Sequence, residues 1–386
     1  MTATLSAAPQ VQAGVRGSWI ATEAEFVQLG PEWGGLFQRA NPENVFLSFG
    51  WMSTWWKHFG KGQLAVIAVR DSAGRLIAVA PFYISRSSAA LGARRLGFLA
   101  DERVGSDYLN VLAEAGFAAA AVEEIARILF AHRRLWDYIE LRDTADSPLV
   151  AALTARLRSR GMSVHQTARR TCRYIPLPPT FEQYLAGIGQ SLRTHCRRQW
   201  QALQRAHQGE SLVVSGAAEL DREFPTLIAL HRMRFAQRTE QSAFLAPGVP
   251  QFHADAMRLL AAEGFVRLFL LKAGSETIAA LYGFSVGRTF QFYQCGMHTG
   301  WLQHSTGHIL TGKAIEQAIA DGNATFDFLR GDEPYKAQWA DRWRENTTLC
   351  LFDHRPASVA AQWSLRTSAA LRGVALNARM RLAGPK

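Results

Sequence analysis

The residue types best suited to acid–base chemistry are concentrated in FDFLRGDEPYKAQW, from Phe326 to Trp339. Its ionisable and phenolic residues are Asp327, Arg330, Asp332, Glu333, Tyr335 and Lys336. The stretch alternates like a buried strand, is broken by a glycine and a proline, and continues as a short helix. A carboxylate such as Asp327 at the end of a buried strand can have a shifted pKa, as acid–base sites require. The alternative is a structural network in which Asp332 and Glu333 cap the helix and Arg330 pairs with one of them.

A second stretch, GMHTGWLQHSTGHILTGKAIEQAI (296–319), precedes the first by one strand. A strand ends near Met297, a loop follows, and a helix begins near Thr306. The helix N terminus presents free backbone N–H groups and the positive end of the helix dipole. This arrangement predicts an anion site that could hold a pyrophosphate. Neither a Walker loop nor a dinucleotide-binding fingerprint is present, and an ordinary N-cap is the alternative.

A third stretch, SLRTHCRRQWQALQR (191–205), has four arginines and no acidic residue. Helical spacing places an apolar stripe on one side: Leu192, Cys196, Trp200 and Leu203. The arginines face away from this stripe: Arg193, Arg197, Arg198 and Arg205. Because solvated helix faces usually mix charges of both signs, we interpret this face as a clamp for phosphate or an anionic headgroup. A docked surface helix with solvated arginines is the alternative.

Length and composition predict a folded protein of two domains or of two similar halves. The chain has 386 residues, of which 48% are hydrophobic, and a formal charge of +11. Its four scattered cysteines predict neither a zinc site nor a disulfide framework. The N terminus lacks the apolar core of a signal peptide, and no run of about 18 apolar residues occurs. We therefore predict a cytoplasmic protein whose basic segments, 191–205 and the acid-free 356–386, suit nucleic acid, anionic lipid or a phosphorylated substrate.

The order of predicted elements repeats along the chain. In the first part we expect a helical region to residue 59, strands at 63–71, 75–84, 94–101 and 106–114, a helix at 116–132, a strand at 136–143, a helix at 147–161 and an extended segment at 162–177. In the second part we expect helices at 181–208, 218–238 and 249–263, strands at 265–273, 276–286 and 289–297, a helix at 305–321, a strand at 324–329, a short helix at 334–341 and a strand at 346–354. The proline-rich IPLPPTFEQYL separates the two parts. We predict domains at 1–175 and 176–355, followed by a basic tail at 356–386.

Together these segments resemble the CelD-like branch of the GNAT acyltransferases, which is associated with bacterial cellulose and exopolysaccharide synthesis. The resemblance is strongest over ALYGFSVGRTFQFYQCGMHTGWLQHSTGHILTGKAIEQAIADG and FDFLRGDEPYKAQW, and GSDYLNVL and SLRTHCRRQWQAL support it. This branch is similar to the tandem-GNAT architecture of the FemABX aminoacyl transferases. The resemblance implies an α+β (mixed α/β) fold of two tandem GNAT-like domains, each a largely antiparallel mixed sheet flanked by helices.

The resemblance also implies where the donor binds. In GNAT folds the acyl-CoA pyrophosphate lies at the N terminus of the helix after the fourth strand. The matching residues here are Gln303, Ser305, Thr306, Gly307 and His308. The match departs from the usual loop, because three residues separate Gln303 from Gly307 and His308 stands where a second glycine is expected. FemABX relatives use aminoacyl-tRNA instead, and an acyl carrier protein is a further alternative donor.

Roles for the charged cluster follow from the same resemblance. Tyr335 matches the GNAT tyrosine that can protonate the departing thiolate, and Lys336 resembles a cation that stabilises charge near the acyl centre. Asp327 is the candidate general base, with Asp332 or Glu333 as its substitute. The predicted substrate-binding residues are Arg193, Arg197 and Asp332. Such chemistry requires positioning, proton transfer and an oxyanion donor, and we predict no metal.

The predicted function is therefore transfer of an acyl group, acetyl or longer, from acyl-CoA to an amino or hydroxyl group. The expected acceptor is a sugar or other precursor of a polysaccharide or of the cell envelope, as a small molecule or linked to lipid. One alternative is aminoacyl transfer from tRNA, the only case in which we expect a nucleic-acid partner. The other is a non-catalytic tandem-GNAT module that binds a glycolipid or a polysaccharide synthase at the inner membrane.

Overall fold

The computed structural model describes residues 14–101, 103–236 and 241–368. The elements of its first half are β1 (Arg16–Ile20), α1 (Glu23–Gln28), α2 (Gly30–Ala40), α3 (Phe49–Phe59), β2 (Gln63–Leu64), β3 (Val66–Arg70), β4 (Leu76–Ala80), β5 (Phe82–Ser87), β6 (Ala93–Phe98), β7 (Leu112–Ala113), α4 (Ala118–Ala131), β8 (Tyr138–Ala145), α5 (Pro148–Ser159) and β9 (Ser163–Pro176).

The elements of its second half are α6 (Phe181–Gly187), α7 (Gln190–His207), β10 (Gly209–Val214), α8 (Ala217–Phe235), α9 (Val249–Ala262), β11 (Val266–Ala273), β12 (Glu276–Val286), β13 (Thr289–Met297), α10 (Thr306–Ala320), β14 (Thr325–Arg330), α11 (Pro334–Trp339) and β15 (Arg342–Phe352). A further helix starts at residue 356 and reaches 368. The rest of the predicted basic tail lies outside the described residues. Within the described part of the chain, no helix combines the length and the apolarity needed to cross a bilayer.

The strands form two sheets. The smaller has the order β1-β3-β4-β7, and the larger has the order β10-β11-β12-β13-β14-β9-β15-β8-β6-β5-β2. In the larger sheet β9 lies between β14 and β15, and β15 also pairs with β8. The sheet therefore continues across the predicted boundary at residue 175, and the final strand of the second half lies among strands of the first. Most pairings are antiparallel, as expected for the predicted mixed fold.

Most predicted elements are present, and the differences have local causes. The predicted strand 75–84 divides at Pro81 into β4 and β5, which belong to different sheets, because proline lacks the N–H that a ladder needs. The predicted helix 181–208 divides at Ile188, whose backbone is extended. Thr180 caps α6, since its side chain accepts a hydrogen bond from the Gln183 N–H. Strand β10 was not predicted.

The predicted strand 106–114 is the largest difference, because only Leu112–Ala113 is extended in a sheet. Polar side chains of this segment bond to distant groups instead of a neighbouring strand. Trp51 Nε1, for example, donates to Ser106 Oγ at 2.9 Å. Tyr108 has a φ of 55°, which a continuous strand excludes. The segment is a loop that carries polar groups towards the second half of the chain.

The two halves share one hydrophobic core. Helix α3 packs on α9, and the buried Trp51 ring contacts Phe252, Phe284 and Tyr293 of the second half at centroid distances of 4.9–5.7 Å. A second core lies between the sheet and α7 and α10, around Phe290 and Phe326. The aromatic contacts of Trp51 hold α3 against α9 and against strands β12 and β13.

Candidate functional site

The site begins where two parallel strands separate. Strands β13 and β14 pair only over Thr289–Gln291 and Thr325–Asp327. Beyond these residues the register of β13 against β12 shifts, so that Tyr293 has no partner on β12, and Leu329 of β14 has a φ of 55°. The strands diverge and leave a cleft between them.

Two adjoining cavities occupy this cleft. The apolar cavity, of about 290 Å³, is lined by Arg234, Phe292, Cys295, Met297, Leu302, Ser305, Thr306, Gly307, His308, Thr311, Tyr335 and Trp339. The polar cavity, of about 180 Å³, is lined by Gly105, Asp107, His231, Arg234, Phe235, Phe292, Tyr293, Gln294, Cys295, Phe328, Leu329, Arg330, Glu333, Tyr335 and Lys336. They share Arg234, Phe292, Cys295 and Tyr335. A bound molecule could therefore extend from one cavity into the other.

The N terminus of α10 opens into the apolar cavity. The His308 N–H makes the first-turn bond, to Ser305 O at 2.9 Å, so the N–H groups of Thr306 and Gly307 precede the helical ladder. Thr306 is 1% exposed, and its Oγ1 has no hydrogen-bond partner among the described residues. A Cβ atom at Gly307 would lie 2.6 Å from Met297 Sδ. This corner presents donors without partners and is narrow, as an anion site requires.

Helix α7 fixes this corner from outside. His195 Nε2 lies 2.9 Å from Ser305 Oγ. The predicted apolar stripe is confirmed, because Leu203 is buried and the other three members pack against the second core. Arg193 donates to Leu185 O at 3.3 Å, while Arg197 and the predicted donor ligand Gln303 are exposed. The structure brings none of these three residues to the lining of either cavity.

Helix α11 supplies Tyr335 and Lys336. Tyr335 lies at the junction of the two cavities. The Lys336 ammonium group lines the polar cavity and donates to Arg330 O and Glu333 Oε2, both at 2.8 Å. Gly331 has a φ of 114°, a backbone conformation that favours glycine, and a Cβ atom there would clash with the Glu333 carboxylate. The break in the sequence between strand and helix therefore directs both side chains into the cleft.

Asp327, the predicted general base, lies outside both cavities. Its carboxylate is completely buried and accepts hydrogen bonds from Tyr108 Oη at 3.0 Å and the Leu329 N–H at 2.7 Å. It also forms an ion pair with Arg344. Burial, followed by the charge of Asp327, raises the pKa of Tyr108 well above its usual value. Asp332 points away as well, since it pairs with Arg173 at 3.1 Å on the surface.

The sequence reasoning missed Asp107, which the first half contributes to the polar cavity. Asp107 Oδ1 accepts from Arg330 Nε and from Asn346 Nδ2, both at 2.6 Å. Arg330 also pairs with Asp143 at 3.0 Å, and not with the acidic residues beside it in the sequence. Burial raises the pKa of Asp107 to about 6, and Arg330 opposes this shift. The feature of the sequence that pointed to Asp107 was SDYLN, a polar stretch inside a predicted strand.

His231 and Arg234 of α8 were also missed. His231 Nε2 lies 2.9 Å from Gln294 Oε1, and its Nδ1 lies 2.8 Å from Ser242 Oγ. Burial lowers the pKa of His231 to about 4, so its imidazole is neutral at pH 7. The helix approaches β13 closely at Gly296, where a Cβ atom would lie 2.7 Å from the backbone of α8. Nothing in the helical pattern of α8 distinguished these residues.

Across the described ranges, no three His, Cys, Asp or Glu side chains are grouped so that they could hold a metal ion. The cavities instead combine an anion-accepting helix end, a buried apolar channel and a polar compartment. Such an arrangement can hold an activated acyl donor on one side and a nucleophile on the other.

Comparison with known proteins shows a similarity for the part of the chain that supplies most of the residues lining these cavities. Residues 190–337 match the family model described as Acetyltransferase (GNAT) domain. No curated protein matches the chain at a significant level. The GNAT match includes the predicted donor loop, Tyr335 and Lys336.

Solved structures show a similar fold over most of the chain. FemX has a TM-score of 0.58 at 11% identity, covering 83% of this chain and 95% of its own. A conserved protein of unknown function from Bacteroides thetaiotaomicron has a TM-score of 0.54 at 11% identity, with coverages of 86% and 100%. The C-terminal domain of a putative lysylphosphatidylglycerol synthetase from Agrobacterium fabrum has a TM-score of 0.53 at 9% identity, with coverages of 90% and 96%. These likenesses confirm the predicted mixed α/β fold, and residues 190–337 are similar to a GNAT acetyltransferase domain within a fold similar to that of FemX.

Proposed function

We propose that the protein transfers an acyl group from acyl-CoA to an amino or hydroxyl group of an acceptor. The observation that carries this proposal is the junction at Tyr335. There the apolar cavity, with the N terminus of α10, meets the polar cavity with its ionisable groups. The GNAT domain supports acyl-CoA as the donor, because such domains use acyl-CoA.

The donor fits the residues of the apolar cavity. The N–H groups of Thr306 and Gly307 and the Thr306 hydroxyl would hold the pyrophosphate, since the helix dipole favours negative charge there. Met297, Leu302 and Trp339 would line the path of the pantetheine arm. This path leads the thioester towards the junction with the polar cavity.

The acceptor nucleophile would attack the thioester carbon from the polar cavity. The new C–N or C–O bond gives a tetrahedral intermediate, and breakage of the C–S bond then releases CoA. Tyr335 would donate a proton to the departing thiolate. Glu333 would take the proton of the acceptor, because its carboxylate lines the polar cavity and its side chain is 45% exposed. The paired Lys336 keeps positive charge beside the reacting groups.

Calorimetric titration with acetyl-CoA and longer acyl-CoAs tests the donor. We expect saturable binding by the wild type. In Thr306→Val the affinity should fall about tenfold, since a hydrogen bond to a charged group contributes about 1.5–3 kcal/mol. Thr277→Val is the matched control, because Thr277 lies on β12 and lines neither cavity. Absence of heat and of a thermal shift with every acyl-CoA would remove the proposal.

The identity of the acceptor as a sugar or other polysaccharide precursor rests on the sequence resemblance and stays a prediction. Release of CoA thiol in the presence of amino sugars and of other amines and alcohols would measure it. If the amount of acylated acceptor formed equals the amount of acyl-CoA consumed, the reaction is transfer to the acceptor. If acyl-CoA is consumed without formation of acylated acceptor, the reaction is hydrolysis.

Aminoacyl-tRNA as the donor is favoured by one observation, the exposure of Arg197, Arg198 and Arg205 on α7. If these arginines contact phosphates, tRNA binding should fall steeply as the salt concentration rises. A gel-shift titration at low salt measures this, with the three arginines replaced by glutamine as the matched variant. Failure to shift tRNA at low salt would exclude this donor.

A further inference from the structure

Arg234 occupies a fixed position at the junction of the two cavities. It is the penultimate residue of α8 and lines both cavities. Its Nη1 donates to Cys295 O at 2.9 Å, and its guanidinium carbon lies 5.6 Å from the centroid of the Phe235 ring. The backbone of β13 and an aromatic ring thus hold the guanidinium in place before any ligand binds.

The other cations of the polar cavity have carboxylate partners. Arg330 pairs with Asp107 at 2.6 Å, and Lys336 pairs with Glu333 at 2.8 Å. Arg234 differs, because no carboxylate pairs with it in the described part of the chain, and its buried Nε has no hydrogen-bond partner there. A partly buried cation without a counter-charge is unfavourable, and an anionic group on a ligand would relieve this cost.

The wall beside Arg234 provides a further donor. Gln294 Oε1 faces His231 Nε2 at 2.9 Å, and the Gln294 side chain also hydrogen-bonds to Tyr293, so its amide NH₂ has one N–H left to donate. His231 adds no second positive charge, since burial lowers its pKa to about 4. The wall therefore combines one guanidinium with one amide donor, which matches the two oxygens of a carboxylate.

We infer that the acceptor is an amine or alcohol that also carries a carboxylate, and that Arg234 and Gln294 bind this carboxylate. The inference rests on the proposed acyl transfer and specifies its acceptor. A single unpaired cation in a cavity of about 180 Å³ suits a monoanion better than a phosphate dianion. Glu333 lines the same cavity as Arg234, so a carboxylate bound to Arg234 leaves the amine or hydroxyl in the compartment that holds the group that would take its proton.

Matched pairs of probes test this inference. Glycine, β-alanine and 2-amino-2-deoxyglucuronate would each be titrated calorimetrically beside the corresponding carboxamide, with inorganic phosphate as a third class of anion. We expect at least one carboxylate to bind the wild type about tenfold more tightly than its carboxamide, as charged hydrogen-bond partners do. Arg234→Gln should remove this preference, and its affinity for acetyl-CoA shows whether the side chain also serves the donor, because Arg234 lines both cavities.

Arg222→Gln is the matched control. Arg222 lies on the same helix, about 18 Å away along its axis at 1.5 Å per residue, and its side chain is 67% exposed. This variant should keep the preference for the carboxylate. Should Arg234→Gln fail to fold, Arg234→Lys keeps the positive charge and is expected to keep part of the preference.

Four results would overturn the inference. They are equal binding of carboxylates and carboxamides or no binding of any carboxylate, a preference that survives in Arg234→Gln, and tighter binding of phosphate than of every carboxylate. Loss of acetyl-CoA affinity in Arg234→Gln would instead assign Arg234 to the donor. Acetyl-CoA binding by the wild type separates the two proposals. If it occurs without recognition of carboxylates, the acceptor class fails and the acyltransferase proposal stands.

Discussion

Replacement of Asp327 by asparagine should reduce the stability of the protein and leave its chemistry largely intact. Asp327 was the general base predicted from the sequence. In the structure its carboxylate is buried behind the cleft and accepts hydrogen bonds from Tyr108 and from the Leu329 N–H, besides its ion pair with Arg344. Neither cavity reaches it. The substitution therefore changes the contact between the two halves and not the surface that a substrate would touch.

The magnitude follows from what asparagine can replace. Its amide oxygen can still accept from the Leu329 N–H, but the charge that pairs with Arg344 is lost. A hydrogen bond to a charged group contributes about 1.5–3 kcal/mol, and loss of one partner of a fully buried ion pair costs about 3–5 kcal/mol. The Arg344 side chain is 42% exposed, so water compensates part of its charge. We expect the free energy of unfolding to fall by about 2–3 kcal/mol.

Urea unfolding followed by tryptophan fluorescence measures this change. Arg344→Gln is the partner variant, and the double variant completes a cycle whose coupling energy we expect to be about 1–2 kcal/mol. Acyl transfer, measured as release of CoA thiol at a temperature where both variants are folded, should change less than about threefold. If Asp327→Asn keeps the unfolding midpoint of the wild type and loses acyl transfer, Asp327 is the base and the structural interpretation is wrong.

Three further predictions concern the cleft and its buried groups. Gly307→Ala should lower the affinity for acetyl-CoA about tenfold, because the added methyl group would lie 2.6 Å from a methionine sulfur. Gly116→Ala is the control, since a methyl group there meets no atom within 4 Å, and this variant should bind acetyl-CoA normally in the same titration. Tyr335→Phe should lower kcat on the order of 10²-fold with unchanged acetyl-CoA affinity. An acyl donor whose leaving thiol has a lower pKa than that of CoA should reduce this loss, because its thiolate needs less protonation. An equal loss of kcat with the two donors would contradict the role of Tyr335 as the acid. Burial lowers the pKa of His231 to about 4 and that of His253 to about 3, so the unfolded chain takes up their protons first and stability should fall as the pH falls from about 6.5 towards 4. Unfolding midpoints measured between pH 7.5 and pH 5 should depend less on pH when both histidines are replaced by glutamine, and an unchanged slope would refute the assignment.

The elements around the cleft could be predicted from the sequence because their signals are local. The alternation of β14, the break at Gly331 and the helix start near Thr306 each depend on residues within a few positions of one another. The apolar stripe of α7 is also a local signal, because it depends on residues spaced at helical intervals, and these residues pack as predicted. Periodicity and turn residues report such features directly. The prediction of Tyr335 at the cleft followed from them and from the family resemblance.

The partners of the charged residues could not be predicted in the same way. Arg330 has three acidic residues within three positions, yet it pairs with Asp107, which is 223 positions away. Local spacing favours the nearer residues, but Arg330 belongs to a strand whose neighbours come from the first half. The roles of His231 and Arg234 could not be predicted from local spacing either, since both lie on an ordinary amphipathic helix. Their significance depends on the strand against which α8 packs.

The polar cavity depends on both halves of the chain through one series of contacts. The Asp107 carboxylate, from the loop of the first half, accepts hydrogen bonds from Arg330 Nε at 2.6 Å and from the Arg330 backbone N–H at 2.9 Å. The carbonyl of Arg330 accepts from Lys336, which in turn pairs with Glu333. Without Asp107 the largely buried guanidinium of Arg330 would lose one of its two carboxylate partners, at a cost of several kcal/mol, on the order of that for a broken buried pair. A segment that began at residue 177 would also lack β9, which lies between β14 and β15. Residues 190–337, which match the GNAT family model and include both Lys336 and Glu333, therefore need the first half to keep these two side chains in the cleft.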